Sequence, residues 1–259
     1  MGAYEISENI KDERKLLVHQ LELGDYDIAF SLYSFGDVIE FVQHPKQGVI
    51  LIDTCGHQND FGKQMQSFLK QQIKSGWGSK GDAREELTDL GRKLADVNGP
   101  AKLCEGDDWC DGASGLYVQL NKTNISFSSN GGMGQSFIFR NNKKECLDMY
   151  GTYLDDLHQH EKGALLPVYT SNLGLDDVLL LQSDGINGNM MASIHYGHSN
   201  ESSRTDFIDT LMNVRKKEPF EIVNYANHAL RNVIKNIDLC YDDMSFVVIK
   251  KKKSKFLFF

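Results

Sequence analysis

The sequence predicts an α+β fold in which helices pack on the faces of mostly antiparallel sheets. Strand patterns come first as a block, helical patterns follow in pairs, and strand patterns then return, an order typical of layered α+β domains. Hydrophobic residues make up 41% and charged residues 25% of the 259 residues, an ordinary globular composition. With no repeat and no Pro- or Ser-rich linker, we predict one domain over residues 1–259, carrying a basic and aromatic tail at residues 250–259.

The first strands are predicted from short apolar runs that turn-forming residues separate. The runs are DIAFSLYS, DVIEFVQ and GVILIDT, with Phe35-Gly36-Asp37 and Pro45-Lys46-Gln47-Gly48 between them. Short β-branched and aromatic runs bounded by Gly, Pro and Asp indicate antiparallel strands. The third run is the most apolar, so it predicts a central strand that ends at Asp53.

The remaining elements follow from periodicity. Asn59-Asp60 is placed to cap a helix whose apolar residues lie three or four apart, and residues 85–94 predict a second helix before a loop at residues 98–115. Strand patterns resume with GLYVQLN, NISFSSN and SFIFRNN, and DVLLLQSDG predicts a buried strand that ends in Asp184. Two helices follow, the second with Pro219 in its first turn. The last strand, MSFVVIK, comes directly after Asp242-Asp243.

Charge and cysteine content exclude several classes of function. The formal net charge is −8, whereas nucleic-acid-binding proteins usually carry a basic face, so we expect no nucleic-acid partner. An acidic balance suits cation binding instead. The five cysteines are scattered and fit neither a disulfide framework nor zinc-finger spacing, which favours reduced thiols. Since no signal-peptide core or apolar run of about 18 residues is present, we expect a cytoplasmic protein without a membrane span.

Three predicted strands end or begin at an aspartate, in ILIDTCGH, LLLQSDGI and CYDDMSFVVI. A single aspartate at a strand end is usually a turn former, and that alternative stays open for each one taken alone. The three become more specific when they are taken together with their flanking residues. Hard cations such as Mg²⁺ and Mn²⁺ prefer carboxylate, carbonyl and water ligands, which fits aspartate rather than histidine or cysteine.

Five short motifs occur in order between residues 24 and 250. They are Gly24-Asp25-Tyr26-Asp27, Asp53-Thr54-Cys55-Gly56-His57, Asn130-Gly131-Gly132-Met133, Ser183-Asp184-Gly185 and Asp242-Asp243-Met244-Ser245. This order resembles the metal-dependent protein phosphatases (the PPM or type-2C family), and most of all their bacterial SpoIIE-type branch. The resemblance implies a four-layer αββα sandwich, in which two mostly antiparallel β-sheets are flanked by helix pairs.

The resemblance also implies a metal centre with two divalent cations, Mn²⁺ or Mg²⁺. Asp53 would bridge both cations, and the Thr54 carbonyl would add a ligand to one of them. Asp184 and Asp242 would complete the shell of the other cation. Asp25 resembles the acidic residue that supports the remaining cation, and Asp27 is a weaker substitute for it.

The implied activity is that of a serine/threonine phosphoprotein phosphatase in which metal-activated water hydrolyses a phosphomonoester without a phospho-enzyme. The substrate class that the branch implies is a phosphoserine or phosphothreonine protein, here a STAS-type anti-sigma-factor antagonist. Two alternatives remain: a catalytically weak phosphatase fold that binds a regulatory partner, and a small-molecule phosphomonoesterase.

Several positions depart from the pattern of the family. Cys55 stands where the animal-type branch has a histidine, so His57 is the candidate proton donor, with support of its loop as the alternative role. Gln58 replaces the second glycine of the bacterial motif, and Met133 replaces a histidine. Arg14 is the nearest candidate for a phosphate-binding arginine, although a solvated helix charge is the favoured interpretation. These departures motivate the alternative of a weak binding module.

The C-terminal segment KKKKSKFLFF combines lysines with aromatic residues. In one interpretation the lysines leave the last strand and the aromatic side chains fold back on the domain. In the other, the tail makes peripheral contact with an acidic partner or an anionic membrane surface.

Overall fold

The computed structural model describes residues 16–33, 37–43, 45–54, 59–79, 81–98, 113–130, 133, 135–147, 166–195, 201–233 and 243–253. This part of the chain contains eleven strands and five helices in four layers. Two antiparallel sheets pack face to face, and helices cover the outer face of each sheet. The predicted α+β sandwich is therefore confirmed.

The first sheet has six strands. In spatial order they are β1 (Leu16–Leu23), β2 (Tyr26–Tyr33), β11 (Met244–Lys251), β10 (Val178–Gln182), β7 (Phe137–Arg140) and β8 (Lys143–Cys146). The second sheet has five strands: β3 (Val38–Val42), β4 (Gln47–Thr54), β5 (Ala113–Leu120), β6 (Ile125–Ser129) and β9 (Val168–Ser171). All neighbouring strands in both sheets run antiparallel.

The helices divide between the two outer faces. Helices α1 (Asn59–Lys74) and α2 (Ala83–Asn98) contribute Met65, Leu69 and Leu87 to the apolar cluster on the second sheet. The first sheet is covered by α3 (Gly185–His195), α4 (Glu201–Val214) and α5 (Pro219–Val233). None of the helices within the described ranges is long and apolar enough to cross a membrane.

Strand β4 shows how the sequence fixes both faces of a sheet. Val49 and Leu51 belong to the apolar cluster between the sheets, whereas Ile50 and Ile52 belong to the cluster under the helices. Side chains alternate along a strand, so the next residue of the inward series is Asp53. The same alternation that buries the core therefore directs this carboxylate into the space between the sheets.

Four elements were not predicted from sequence: β1, β8, β9 and α3. Strand β8 has no aliphatic or aromatic residue, and all four of its side chains are exposed. It forms because Asn141 and Asn142 adopt positive φ angles of 48° and 61°, the type I′ geometry that returns the chain along β7. The predicted loop at residues 98–115 lies mostly outside the described residues, and residues 113–115 belong to β5.

The start of the predicted basic tail belongs to the fold. Strand β11 continues through Lys251, and Lys250 is only 4% exposed. The Lys250 ammonium donates hydrogen bonds to the carbonyls of Arg215 (2.9 Å) and Lys217 (2.7 Å), just after helix α4. Lys252 forms an ion pair with Glu22. Residues 254–259, which include the aromatic residues, lie outside the described residues, so the docking tail stays a prediction.

Lys250 should make the stability of the protein depend on pH. Burial lowers the pKa of its ammonium below the ordinary value, against the attraction of Glu218, Asp176 and Asp27. Between that lowered pKa and about 10.4, the unfolded chain binds more protons than the native state, so this residue makes stability rise with pH. We expect the free energy of unfolding of wild type, relative to Lys250→Met, to rise from pH 8 to pH 10.5. Urea titrations of both proteins measure it, and parallel curves would contradict the assignment.

Candidate metal centre

The two sheets end together at an edge where several predicted ligands lie. Strand β4 ends at Thr54, opposite the start of β5 at Ala113. In the first sheet, β10 ends beside the start of β11, with Gln182 opposite Phe246. The name "aspartate edge" is used below for the edge of the sandwich at which strands β4 and β10 end.

One long-range hydrogen bond shows that these two strand ends belong to the same edge. Tyr26 begins β2, at the opposite end of the first sheet, and its hydroxyl donates to the carbonyl of Asn121 at 2.6 Å. Asn121 follows β5, so it marks the opposite end of the second sheet. Because these far ends coincide, the ends of β4 and β10 coincide as well.

The second sheet brings two carboxylates to the aspartate edge. Asp53 lies opposite Ser114 in the ladder between β4 and β5 and is partly exposed. Asp37 immediately precedes β3, and the pairing of Val38 with Ile52 places it beside Asp53. Asp37 is 6% exposed, an unusual degree of burial for a carboxylate.

Asp37 was not among the predicted ligands, although the sequence carries a signal for it. Gly36-Asp37 repeats the Gly-Asp dipeptide found at Gly24-Asp25, and it stands directly before a predicted strand. The choice between the two dipeptides depends on which one neighbours Asp53. The hairpin of β3 and β4 brings Asp37 beside Asp53, whereas the long-range pairing of β2 with β11 places Asp25 at the opposite end, and a local motif does not reveal that pairing.

Asp184 comes from the first sheet and carries the clearest sign of a cation. It follows β10 and starts α3, where its carbonyl accepts the N–H of Gly188 at 2.9 Å. An aspartate at such an N-cap position normally uses its side-chain oxygen to accept a backbone N–H. Here Asp184 Oδ1 is buried, and among the described residues no donor reaches it. A buried carboxylate oxygen without a donor is costly, so this position fits a cation.

The remaining predicted residues are placed as follows. Asp243 lies directly before β11, is 5% exposed, and continues the inward series of Val247 and Ser245. Met133 packs against the apolar cluster between the sheets. Asp242 and His57 lie outside the described residues, as do Cys55, Gln58 and Arg14.

The structure separates Asp25 from this group. Asp25 is an exposed residue of the turn between β1 and β2, after Gly24 with its φ of 59°. Its carbonyl accepts the N–H of Lys252 at 2.8 Å, which places it at the far edge. Eight-residue strands at about 3.3 Å per residue span roughly 25 Å, too far for a shared ligand shell. Asp27 lies at the same far edge, where it is opposite Lys250 in the ladder between β2 and β11.

The described residues therefore hold part of a carboxylate site. They contain no group of three or more His, Cys, Asp or Glu side chains in a metal-binding arrangement. Strand ends at the aspartate edge supply Asp37, Asp53, Asp184 and Asp243. An all-oxygen set of this kind suits Mg²⁺ or Mn²⁺ rather than zinc or copper.

Comparison with solved structures supports the fold. No protein-family model matches the sequence, and no curated protein matches it significantly. The PP2C phosphatase domain and regulatory fragment of SpoIIE from Bacillus subtilis superimposes with a TM-score of 0.64 at 14% identity, covering 92% of this chain and 70% of that one. This chain has the PP2C phosphatase fold.

Two further structures share that fold with this chain. The RsbU and RsbW domains of Rv1364c from Mycobacterium tuberculosis give a TM-score of 0.62 at 16% identity, with 88% of this chain covered. This chain spans only 60% of that longer structure. RsbX, solved in complex with magnesium, gives a TM-score of 0.59 at 10% identity and covers 91% of this chain and 100% of its own. The predicted resemblance to the SpoIIE-type PP2C fold is thus confirmed at the level of structure.

Proposed function

We propose that this protein is a metal-dependent serine/threonine protein phosphatase. The observation that carries the proposal is the buried Asp184 Oδ1, which lacks a hydrogen-bond donor among the described residues at the edge where Asp53 also lies. The PP2C fold supports it, because SpoIIE is a PP2C phosphatase. Hydrolysis of phosphomonoesters is extremely slow without a catalyst, so an enzyme of this class needs strong charge stabilisation at one site.

The proposed ligands are Asp53, the Thr54 carbonyl, Asp184 and Asp242, with Asp37 in the position first assigned to Asp25. When bound, two divalent cations would neutralise the phosphoryl oxygens and activate a water molecule. Magnesium is supported by the structure of RsbX in complex with magnesium, and manganese is supported by its similar preference for oxygen ligands.

The protein's own groups would orient the reaction. Because Asp53 and Asp184 come from different sheets, they approach the site from opposite sides of the sandwich. His57, three residues beyond the last residue of β4 in the sequence, is the proposed proton donor to the leaving oxygen. Because Asp53 lies within β4 and Asp184 shortly after β10, the two packed sheets fix the relative positions of these carboxylates.

The proposed substrate is a phosphoserine or phosphothreonine protein in the cytoplasm. The motifs Asp53-Thr54-Cys55-Gly56-His57 and Ser183-Asp184-Gly185 resemble the SpoIIE-type branch, which supports a phosphorylated STAS-type protein. A second candidate function is a weakly catalytic module that binds a phosphoprotein. Met133 favours it, because a partly buried apolar side chain packed against the core stands where the motif of the family has a histidine.

One assay separates these functions. We expect the purified protein to hydrolyse both p-nitrophenyl phosphate and a phosphoserine peptide in Mn²⁺ or Mg²⁺, and to lose activity in EDTA, because its carboxylates need the cation to act. Turnover of the small ester alone would favour a small-molecule phosphomonoesterase. Tight binding of the peptide without turnover would favour the binding module. Hydrolysis that persists unchanged in EDTA would contradict a metal centre.

A further inference from the structure

Strand β10 leaves the first sheet through an unusual hydrogen bond. In a regular antiparallel hydrogen-bonded pair, two residues exchange both of their N–H···O=C bonds. Ser183 donates its N–H to the carbonyl of Ser245 at 2.9 Å, as expected. The returning N–H of Ser245, however, donates to the Ser183 hydroxyl at 3.0 Å. The Ser183 side chain thus takes the place of its own carbonyl.

Strand β6 leaves the second sheet in the same way. The N–H of Asn130 donates to the carbonyl of Gly115 at 3.0 Å. The returning N–H of Gly115 donates to Asn130 Oδ1. The Ser129 hydroxyl in turn donates to the Asn130 carbonyl at 2.9 Å, which gives that displaced carbonyl a partner.

Both substitutions occur at the aspartate edge. Ser183 is followed at once by Asp184, and Ser245 follows Asp243 by two residues. Gly115 adjoins Ser114, which lies opposite Asp53. In the ladder between β10 and β11 and in the one between β5 and β6, therefore, the last rung uses a side-chain oxygen as acceptor close to a carboxylate of the candidate centre.

The consequence is a change of backbone direction without loss of a buried hydrogen bond. Ser183, Ser245 and Asn130 are all fully buried, so an N–H left without an acceptor there would be costly. When the side chain accepts that N–H, the main-chain carbonyl no longer has to point at the neighbouring strand, and the chain can turn out of the sheet. A strand that kept its regular ladder would carry the next residue straight on, in line with β10.

We propose that Ser183 and Asn130 are positioning residues that set the two strand exits around the metal centre. The inference rests on the proposed function. Ser183 fixes where the chain leaves β10 and therefore where the Asp184 carboxylate lies relative to Asp243. Asn130 fixes where the chain leaves β6 beside β5.

The test is Mn²⁺ affinity, measured by calorimetry on the full chain without substrate. Removing a group that orients a metal ligand typically weakens binding about 10- to 100-fold, and we expect this loss for Ser183→Ala. Ser183→Thr keeps a hydroxyl in the same place and should retain the affinity of wild type. Hydrogen exchange at the Ser245 amide should be faster in Ser183→Ala and near normal in Ser183→Thr.

Ser31→Ala is the matched control. Ser31 is another buried serine of the first sheet, but its hydroxyl donates to Asn227 of helix α5 at 2.9 Å rather than serving a ligand-bearing strand exit. Its removal should leave Mn²⁺ affinity unchanged. Wild-type affinity in Ser183→Ala, or an equal loss in Ser31→Ala, would overturn the inference.

A second pair of variants covers the case in which Ser183→Ala does not fold. Asn130→Asp keeps an acceptor oxygen and the side-chain shape, whereas Asn130→Leu keeps only the size. We expect the first to bind Mn²⁺ and the second to bind it at least about 10-fold more weakly. Equal affinities would overturn the inference. If the wild-type protein binds Mn²⁺ but hydrolyses neither ester, only the proposal of a phosphatase is wrong. If it binds no Mn²⁺, both that proposal and the present inference are wrong.

Discussion

Asp184→Asn is expected to reduce metal-dependent turnover by at least about 100-fold, because the loss of a mere supporting group already costs 10- to 100-fold. The same change should leave the metal-free protein as stable as wild type or more stable. Asp184 Oδ1 is buried and lacks a donor among the described residues, so neutralising this carboxylate removes a desolvated charge. Initial rates in saturating Mn²⁺ and urea unfolding in EDTA measure the two effects.

Asp25→Asn provides the control for that variant. It makes the same chemical change at an exposed turn on the far edge of the sandwich, where the side chain has no access to the centre. We expect its turnover to equal that of wild type. If Asp25→Asn abolished activity while Asp184→Asn did not, the centre would lie at the far edge and the ligand assignment would be wrong.

Glu86→Ala is expected to destabilise the protein by about 3 kcal/mol or more. The buried Glu86 carboxylate accepts the N–H groups of Gly78 at 2.8 Å and Gly81 at 2.6 Å, and hydrogen bonds to a charged group contribute about 1.5–3 kcal/mol each. The loop that it holds carries Trp77, which packs against Tyr117 of β5. Losing the carboxylate would leave two loop N–H groups without this acceptor and loosen the cover of the second sheet.

The neighbouring Glu85→Ala separates this effect from a general loss of helix α2. Glu85 forms a capping box with Asp82: its carboxylate accepts the Asp82 N–H at 3.0 Å, and its own N–H donates to Asp82 Oδ1 at 2.9 Å. Both bonds are exposed, and a lost cap costs about 1 kcal/mol. Chemical denaturation of the two variants gives the comparison. Equal losses would show that Glu86 acts only as part of the helix start.

The fold was predictable where one strand carries a strong pattern of its own. GVILIDT alternates between two apolar surfaces, so the position of β4 and the inward direction of Asp53 follow from the sequence. DVLLLQSDG gives β10 and the position of Asp184 for the same reason. In contrast, β8 consists of KKEC and is a strand only because a turn brings it against β7. The signal for this strand therefore lies in the Asn141-Asn142 turn and not in the residues of β8 themselves.

In the candidate site, the positions of two of the aspartates were predictable for the same reason. Residues at the ends of strongly apolar strands, Asp53 and Asp184, lie at one edge as expected. Asp25 and Asp37 each follow a glycine, and the sequence does not reveal which of the two aspartates lies at the same edge as Asp53. Asp37 reaches Asp53 through the hairpin of β3 and β4, whereas the position of Asp25 depends on β2 pairing with β11, a contact between distant segments.

The side-chain acceptors at Ser183 and Asn130 also bear on how such a protein can diversify. Each one closes its ladder from within the strand, so the rungs behind it do not depend on the segment that comes next. A sheet depends on the correct register of its strands, because a slip of one residue turns every side chain to the wrong face. Insertions after Asn130 would therefore change the rim of the site while both sheets stay in frame. The segment between β6 and β7, rather than helix α3 directly after Asp184, is where relatives of this chain can acquire different partners at little cost to folding.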